Sequence, residues 1–133
     1  MIGLDTNVLV RYLAQDDRVQ SPLATRFMES FLSQEDPGFV ATIVLAELVW
    51  VLESNYQFGR EQITNLLDAL LRAQQLKFQD HDSANQALRD FRTSKADYVD
   101  CLIQRLGSGA GCSHTMTFDR AASRIDGMRL LGT

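Results

Sequence analysis

The stretch MIGLDTNVLVRYL, residues 1–13, decides how the rest of the chain is read. Apolar and small residues run into Asp5, Thr6 and Asn7 follow, and Val8, Leu9, Tyr12 and Leu13 then take a helical spacing. The pattern predicts a buried strand over residues 2–4 that carries a carboxylate at its C-terminal end, and a helix over residues 6–13. In open α/β sheets, ligands bind in the crevice beyond the carboxyl ends of the strands. Asp5 therefore stands where a site belongs, on what this reading takes as a central strand. The question is whether later segments return further acids to the same edge.

Outward from that stretch, strands and helices alternate. Ser21-Pro22 reads as a helix start, with Ser as N-cap and Pro at the first position, and Leu23, Phe27, Met28, Phe31 and Leu32 carry the helix on. Asp36-Pro37-Gly38 is a turn. A second strand follows over residues 39–41. Thr42 then caps a helix reaching about residue 54, with Leu45, Leu48, Val49 and Leu52 in period. Residues 60–73 form an amphipathic helix with Ile63, Leu66, Leu67, Leu70 and Leu71 as its stripe. Residues 76–78 are a third strand. Residues 81–93 are a helix with Ala84, Ala87, Leu88 and Phe91 inward. Ser94 is taken as cap of the next helix, which the glycine-rich residues 107–111 end; that glycine run is too irregular for a phosphate loop. A strand over residues 112–117, a short helix over 120–124 and a last strand over 128–131 complete the chain. The class is α/β with a parallel or mostly parallel sheet.

The 133 residues predict one domain spanning 1–133, with no linker, repeat or low-complexity segment. Hydrophobic content of 45% with 23% charged residues is ordinary for a soluble globular chain. No apolar run approaches the roughly 20 residues of a membrane helix. The first residues lack a basic region, so no signal peptide and a cytoplasmic location are expected. Cys101 and Cys112 have neither zinc-ribbon nor disulfide-framework spacing, and both are expected reduced and mostly buried. A net charge of −4 argues against a protein that coats nucleic acid nonspecifically. Two bound divalent cations would cancel that charge.

The acids carry the chemistry. Asp5 and Asp119 each follow a strand, which in a parallel sheet puts them on one edge. Asp97 and Asp100 are three residues apart on a helix and share a side. Glu47 lies early in the helix that leaves the second strand, among Val44, Leu48 and Val51, as an acid within an apolar face. Clustered carboxylates repel and are costly to bury. A hard divalent cation resolves that cost, and oxygen-only ligands select Mg2+ or Mn2+ over zinc. Such a site can activate water and clamp a phosphodiester. Each acid also has a bland reading: Asp5 and Asp119 as helix caps, Asp97 as an acid favoured by the helix dipole. These readings leave the joint placement unexplained. His81 and His114 are assigned surface or packing roles.

Four blocks in order resemble a known family. Leu4-Asp5-Thr6-Asn7-Val8-Leu9-Val10 resembles the opening of PIN-domain nucleases. The run from Thr42 through Ala46-Glu47-Leu48 to Leu52 is similar to the second acidic block of VapC-type toxins. Ala96-Asp97-Tyr98-Val99-Asp100-Cys101-Leu102-Ile103 is similar to the third, and Thr117-Phe118-Asp119 to the fourth. The resemblance implies a PIN-like three-layer α/β/α sandwich with a mostly parallel sheet of about five short strands. It also implies an Mg2+- or Mn2+-dependent ribonuclease, the toxin of a toxin–antitoxin module, with an RNA substrate, a cognate antitoxin and a homodimer. By position, Asp5, Glu47, Asp100 and Asp119 are the metal-binding quartet, with Asp97 the acid one turn earlier. Thr6 and Thr117 are hydroxyls that orient carboxylates. Arg11, Lys95 and Arg120 flank the blocks as candidate RNA contacts. Cys101, where a small Ala is frequent, and Gln104-Arg105, in place of a more apolar pair, depart from the pattern and put helix packing or substrate contacts in question. Two rivals stand beside this reading. One is a phosphatase of the haloacid-dehalogenase type, which needs a second acid where this chain has Asn7. The other is a non-catalytic module of the same fold.

Overall fold

A parallel three-stranded sheet organises the first part of the chain. In this computed structural model, which describes residues 1–132, β1 (Ile2–Gly3), β2 (Gly38–Val40) and β3 (Leu76–Phe78) pair in that order, with Gly3 opposite Phe39 and Val40 opposite Phe78. Parallel neighbours need long crossovers. These are α1 (Thr6–Ala14) and α2 (Gln20–Arg26) between β1 and β2, then α3 (Thr42–Asn55) and α4 (Arg60–Arg72) between β2 and β3. The chain divides into two compact units, and all these elements fall in the first, Met1–His81. Within this sheet β2 is central and β1 is an outer strand, a correction to the reading that put Asp5 on a central one. The second strand starts at Gly38 rather than Phe39. A Cβ at Gly38 would stand 2.9 Å from Cδ1 of both Leu4 and Leu32, so the glycine lets β2 lie close to its neighbours.

Two helix starts in this unit differ from the sequence reading, for one reason: the capping group comes from a different residue. Helix α2 begins at Gln20, and the Asp17 carboxylate accepts the N–H groups of Val19 and Gln20 at 3.0 and 2.7 Å. Ser21 is buried inside the first turn and accepts the Asp17 N–H. Pro22 still sits in that turn, where its missing N–H costs nothing. In α3, Thr42 is the first helical residue, and its N–H donates to Gln79 Oε1 at 2.9 Å.

Beyond α2 the backbone widens into a π-helical segment, Phe27–Phe31. A π turn holds more residues than an α turn, so the 3.6-residue period fails there. Met28 and Leu32 are buried, whereas Leu23 and Phe31 are exposed and Phe31 stacks on Phe27 at 5.3 Å between centroids.

The second unit, Asp82–Thr133, holds α6 (Tyr98–Gly109) and the parallel pair β4 (Thr115–Thr117) and β5 (Met128–Leu130), joined through a 3-10 turn over Ala122–Arg124. Helix α5 (His81–Arg92) lies in it but for its first residue. Its predicted inward residues Ala84, Ala87, Leu88 and Phe91 are buried, and Phe91 packs edge-on against the buried Tyr98, whose hydroxyl donates to Ala84 O at 2.9 Å. Helix α6 takes in the first three residues of the glycine-rich stretch that was expected to end it, and β4 starts three residues later than expected. Cys101 is buried, but Cys112 is exposed, against expectation. The residues that depart from the family pattern each have a place. Arg105 donates to Asp90 twice, at 2.7 and 2.9 Å, in a forked ion pair that ties α6 to α5. Gln104 is buried and lies over Gly127, which has a φ of +89°. A Cβ there would meet Gln104 Nε2 at 2.2 Å. Gly127→Ala is therefore expected to destabilise the fold by about 1–3 kcal/mol from the backbone alone, plus the displacement of Gln104, read as a lower urea midpoint at unchanged slope.

Among the described residues all five strands pair in parallel, as the α/β reading requires, although they hydrogen-bond as a group of three and a group of two. Among those residues no helix is long and apolar enough to cross a membrane.

Candidate active site

In the first unit one residue joins two acids. Asp5 is the N-cap of α1, and its Oδ1 accepts the Thr6 N–H at 2.8 Å. Thr6 is buried, and its hydroxyl donates to Glu47 Oε1. The backbone of Thr6 thus holds the strand-end carboxylate while its side chain holds the one on α3. The bland and functional readings of Asp5 coexist, since a capping carboxylate still has a second oxygen to offer a ligand.

Glu47 corrects the sequence reading. It was expected inside an apolar face, yet it is exposed. Helix α3 is apolar on almost every side, so its period alone does not show which face is covered. Leu45, Leu48, Val49 and Leu52 are buried, which leaves Ile43, Glu47 and Trp50 outside. The cost of burying an unpaired glutamate therefore says nothing about Glu47. Its hydrogen bond to Thr6 is what sets it apart.

In the second unit three acids gather at the start of α6. Asp97, not Ser94, is the N-cap residue, and its side chain makes no capping bond; Ser94 Oγ accepts the Ala96 N–H instead. The Asp97 carboxylate is thereby left open to other contacts. Asp100 lies in the first turn of α6 and is half-buried. Burial first, and then the Asp119 and Asp97 carboxylates, raises its carboxyl above the ordinary range. Asp119 accepts the Ala122 N–H on Oδ1 at 2.9 Å and donates its own N–H to Thr117 Oγ1 at 3.0 Å. Thr117 therefore shapes the backbone turn that presents Asp119, rather than touching the carboxylate.

The basic residues divide. Arg11 is engaged, donating to Gln20 at 2.8 Å, to Tyr56 at 3.2 Å and to Asp16 at 3.3 Å. This network braces the end of α1 and takes up much of the donor fork that an RNA contact would need. Lys95 and Arg120 are exposed and in no ion pair among the described residues. His81 donates from Nε2 to Leu71 O at 2.8 Å and packs near Phe78, the packing role expected of it.

One feature of the first unit was missed at the level of sequence. A cavity of about 500 Å³ between α1 and α2 is lined by Leu4, Val8, Leu23, Ala24 and Phe27, with Arg11 and Gln20 at its edge. It contains none of the acids. The signal was present in Val19, Leu23, Phe27 and Phe31, a four-residue recurrence that an inward helical face does not need.

Among the described residues no group of three or more His, Cys, Asp or Glu side chains is placed to hold a metal ion. The donors nonetheless suit a hard divalent cation in kind: all are carboxylate oxygens, and the forces that raise Asp100 are burial and two like charges, with no basic side chain among them.

In the first unit Thr6 holds a strand-end aspartate and an α3 glutamate, and in the second an acidic helix start presents Asp97 and Asp100, all within an α/β fold. The chain belongs to the PIN-domain family, whose profile matches residues 2–128. A VapC ribonuclease from Aquifex aeolicus (strain VF5) is 24% identical over 123 residues, which is 92% of this chain and 90% of that protein. The family resemblance read from the four acidic blocks is thus borne out, and the haloacid-dehalogenase reading falls with it.

Proposed function

We propose that this chain is a metal-dependent endoribonuclease, the toxin of a type II toxin–antitoxin pair, acting as a single PIN domain over residues 1–133. The observation that carries this reading is the Asp5–Thr6–Glu47 arrangement within a chain of the PIN family. The likeness to a VapC ribonuclease along most of both chains supports it. Asp5, Glu47, Asp100 and Asp119, with Asp97 one turn before Asp100, are the acids assigned to Mg2+ or Mn2+. When bound, such a cation supplies water activation and neutralises charge on the phosphodiester.

The chain's own residues do the positioning. The Thr6 N–H keeps Asp5 turned toward the start of α1, and its hydroxyl keeps Glu47 from free rotation. Helix α6 presents Asp100 from a partly dehydrated first turn, where a carboxylate gains more from a cation than it would in water. The Ala122 N–H fixes one oxygen of Asp119. Lys95 and Arg120 are left for phosphate. The partners assigned are RNA, a cognate antitoxin and a second copy of the chain, in the cytoplasm. The exposed apolar residues Val19, Leu23 and Phe31, near the cavity between α1 and α2, offer the antitoxin a docking surface.

The test is direct. Induced expression in a bacterial host should arrest growth, and mapping of RNA ends should show internal cuts. The purified chain should make the same cuts with Mg2+ or Mn2+ and none in excess EDTA. Intact RNA in the arrested cells, or cleavage undiminished by EDTA, would refute the reading.

A further inference from the structure

We propose that Tyr56 and Asp16 are positioning residues of the Asp5–Thr6–Glu47 arrangement: with Arg11 they fix α1 against α3, so that Thr6 meets Glu47 in one register. The inference rests on the ribonuclease reading above. The three side chains form a closed triangle of hydrogen bonds. The Tyr56 hydroxyl donates to Asp16 Oδ2 at 2.7 Å and accepts from Arg11 Nη1 at 3.2 Å, and Arg11 Nη1 also donates to Asp16 Oδ1 at 3.3 Å. Arg11 lies in the last turn of α1, Asp16 in the link to α2, and Tyr56 is the C-cap residue of α3. Arg11 Nε reaches the start of α2 as well, donating to Gln20 Oε1 at 2.8 Å.

The same two helices carry the acids. Asp5 caps α1, Thr6 is its first residue, and Glu47 stands on α3. The Thr6–Glu47 hydrogen bond ties the helices at one point, and the triangle ties them at a second, further along both. One hydrogen bond leaves two helices free to pivot about it; a second tie removes that freedom. Reacting geometry is sensitive to displacements of about 1 Å set far from the chemistry. The backbone supplies an independent sign. Among the described residues only Gln15 and Gln57 are non-glycine residues with positive φ, at 53° and 57°. Gln15 immediately precedes Asp16, and Gln57 immediately follows Tyr56. Such a conformation is disfavoured for a residue with a side chain and persists where the surroundings over-determine it. Stability is a poor account of the triangle, because exposed ion pairs such as Arg11–Asp16 contribute little.

Tyr56→Phe removes the hydroxyl and keeps the aromatic body. Its effect is read by calorimetric titration with Mn2+ in the absence of RNA, and by cleavage rates over the same Mn2+ range, in the native and the Thr6→Val backgrounds. A group that acts through an orienting residue should cost less than that residue does. Tyr56→Phe is therefore expected to weaken Mn2+ binding about fivefold, with a nearly native rate at saturating Mn2+. In the Thr6→Val background, where the bond it positions is already gone, it should have no further effect. Asp16→Asn keeps the shape and removes the charge that faces Arg11, and it should act in the same direction with the same dependence on Thr6. Thermal midpoints should stay within about 3 °C of the parent chain. Native Mn2+ affinity in both variants, or an equal loss in both backgrounds, would overturn the proposal, whereas RNA cut by the native chain would still uphold the ribonuclease reading. Mn2+ binding that shows this dependence on Thr6 in a chain that never cuts RNA would do the reverse.

Discussion

Asp100→Asn is expected to lower RNA cleavage by on the order of 10³-fold, as loss of one preorganised charge at a reacting centre does. It should also stabilise the metal-free chain at neutral pH. The second effect follows from the sign of the shift at this carboxyl. Burial, Asp119 and Asp97 all raise Asp100, so the folded state holds the proton more tightly than the unfolded chain does. The unfolded state therefore binds fewer protons through the carboxylate range, and stability falls as pH rises through it. Once ionised, Asp100 opposes folding, and Asn removes that opposition while keeping the shape. A thermal scan without metal should give a higher midpoint for Asp100→Asn than for the native chain, and the difference should vanish at a pH below the titration. A lower midpoint at pH 7 would assign Asp100 a structural role. The pairing of lost activity with gained stability is what separates a site residue from a damaged fold. Asp5→Asn should share the loss of cleavage; Asp5 caps α1, so it need not share the gain.

Thr6→Val tests the link between Asp5 and Glu47. Valine keeps the volume and the backbone N–H that holds Asp5, and removes only the hydroxyl that holds Glu47. Loss of such an orienting partner typically costs 10–100-fold in metal affinity or activity, and about that loss is expected here. Stability should change by less than about 1 kcal/mol, because the freed Glu47 is exposed and water replaces the hydroxyl. Thr6→Ser restores a hydroxyl at the same depth and should recover most of the activity. The measurements are initial cleavage rates across a Mn2+ titration, with a urea midpoint for each variant. Native rates for Thr6→Val at limiting Mn2+ would show that Thr6 orients neither acid.

Several features were legible because they depend on local chemistry. β3 at residues 76–78 and the inward set Ala84, Ala87, Leu88 and Phe91 were read correctly from alternation and period. The positions of Asp5 after β1 and of Asp97 and Asp100 at the start of α6 were legible, because Asp after an apolar strand and Asp three residues from Asp on a helix start are local patterns. Helix caps were less so. Asp17 reaches past Ser21, and Asp97 takes the place assigned to Ser94, because several oxygen-bearing side chains compete for one helix end and only the backbone path selects among them.

Glu47 and Phe31 mark where period fails. In α3 apolar residues occur on nearly all sides, so any of several faces could have been buried. In the segment that starts at Phe27 the backbone leaves the α-helical period altogether. Residue chemistry and local spacing were enough for the α/β class and the five strands, since these follow from propensity and pattern over a few residues. Packing settled which face of α3 meets solvent, that Thr6 joins Asp5 to Glu47 across 41 positions of sequence, and that Arg11 is spent on Tyr56 and Asp16. Each of these depends on which segments meet in space, and that choice belongs to the chain as a whole.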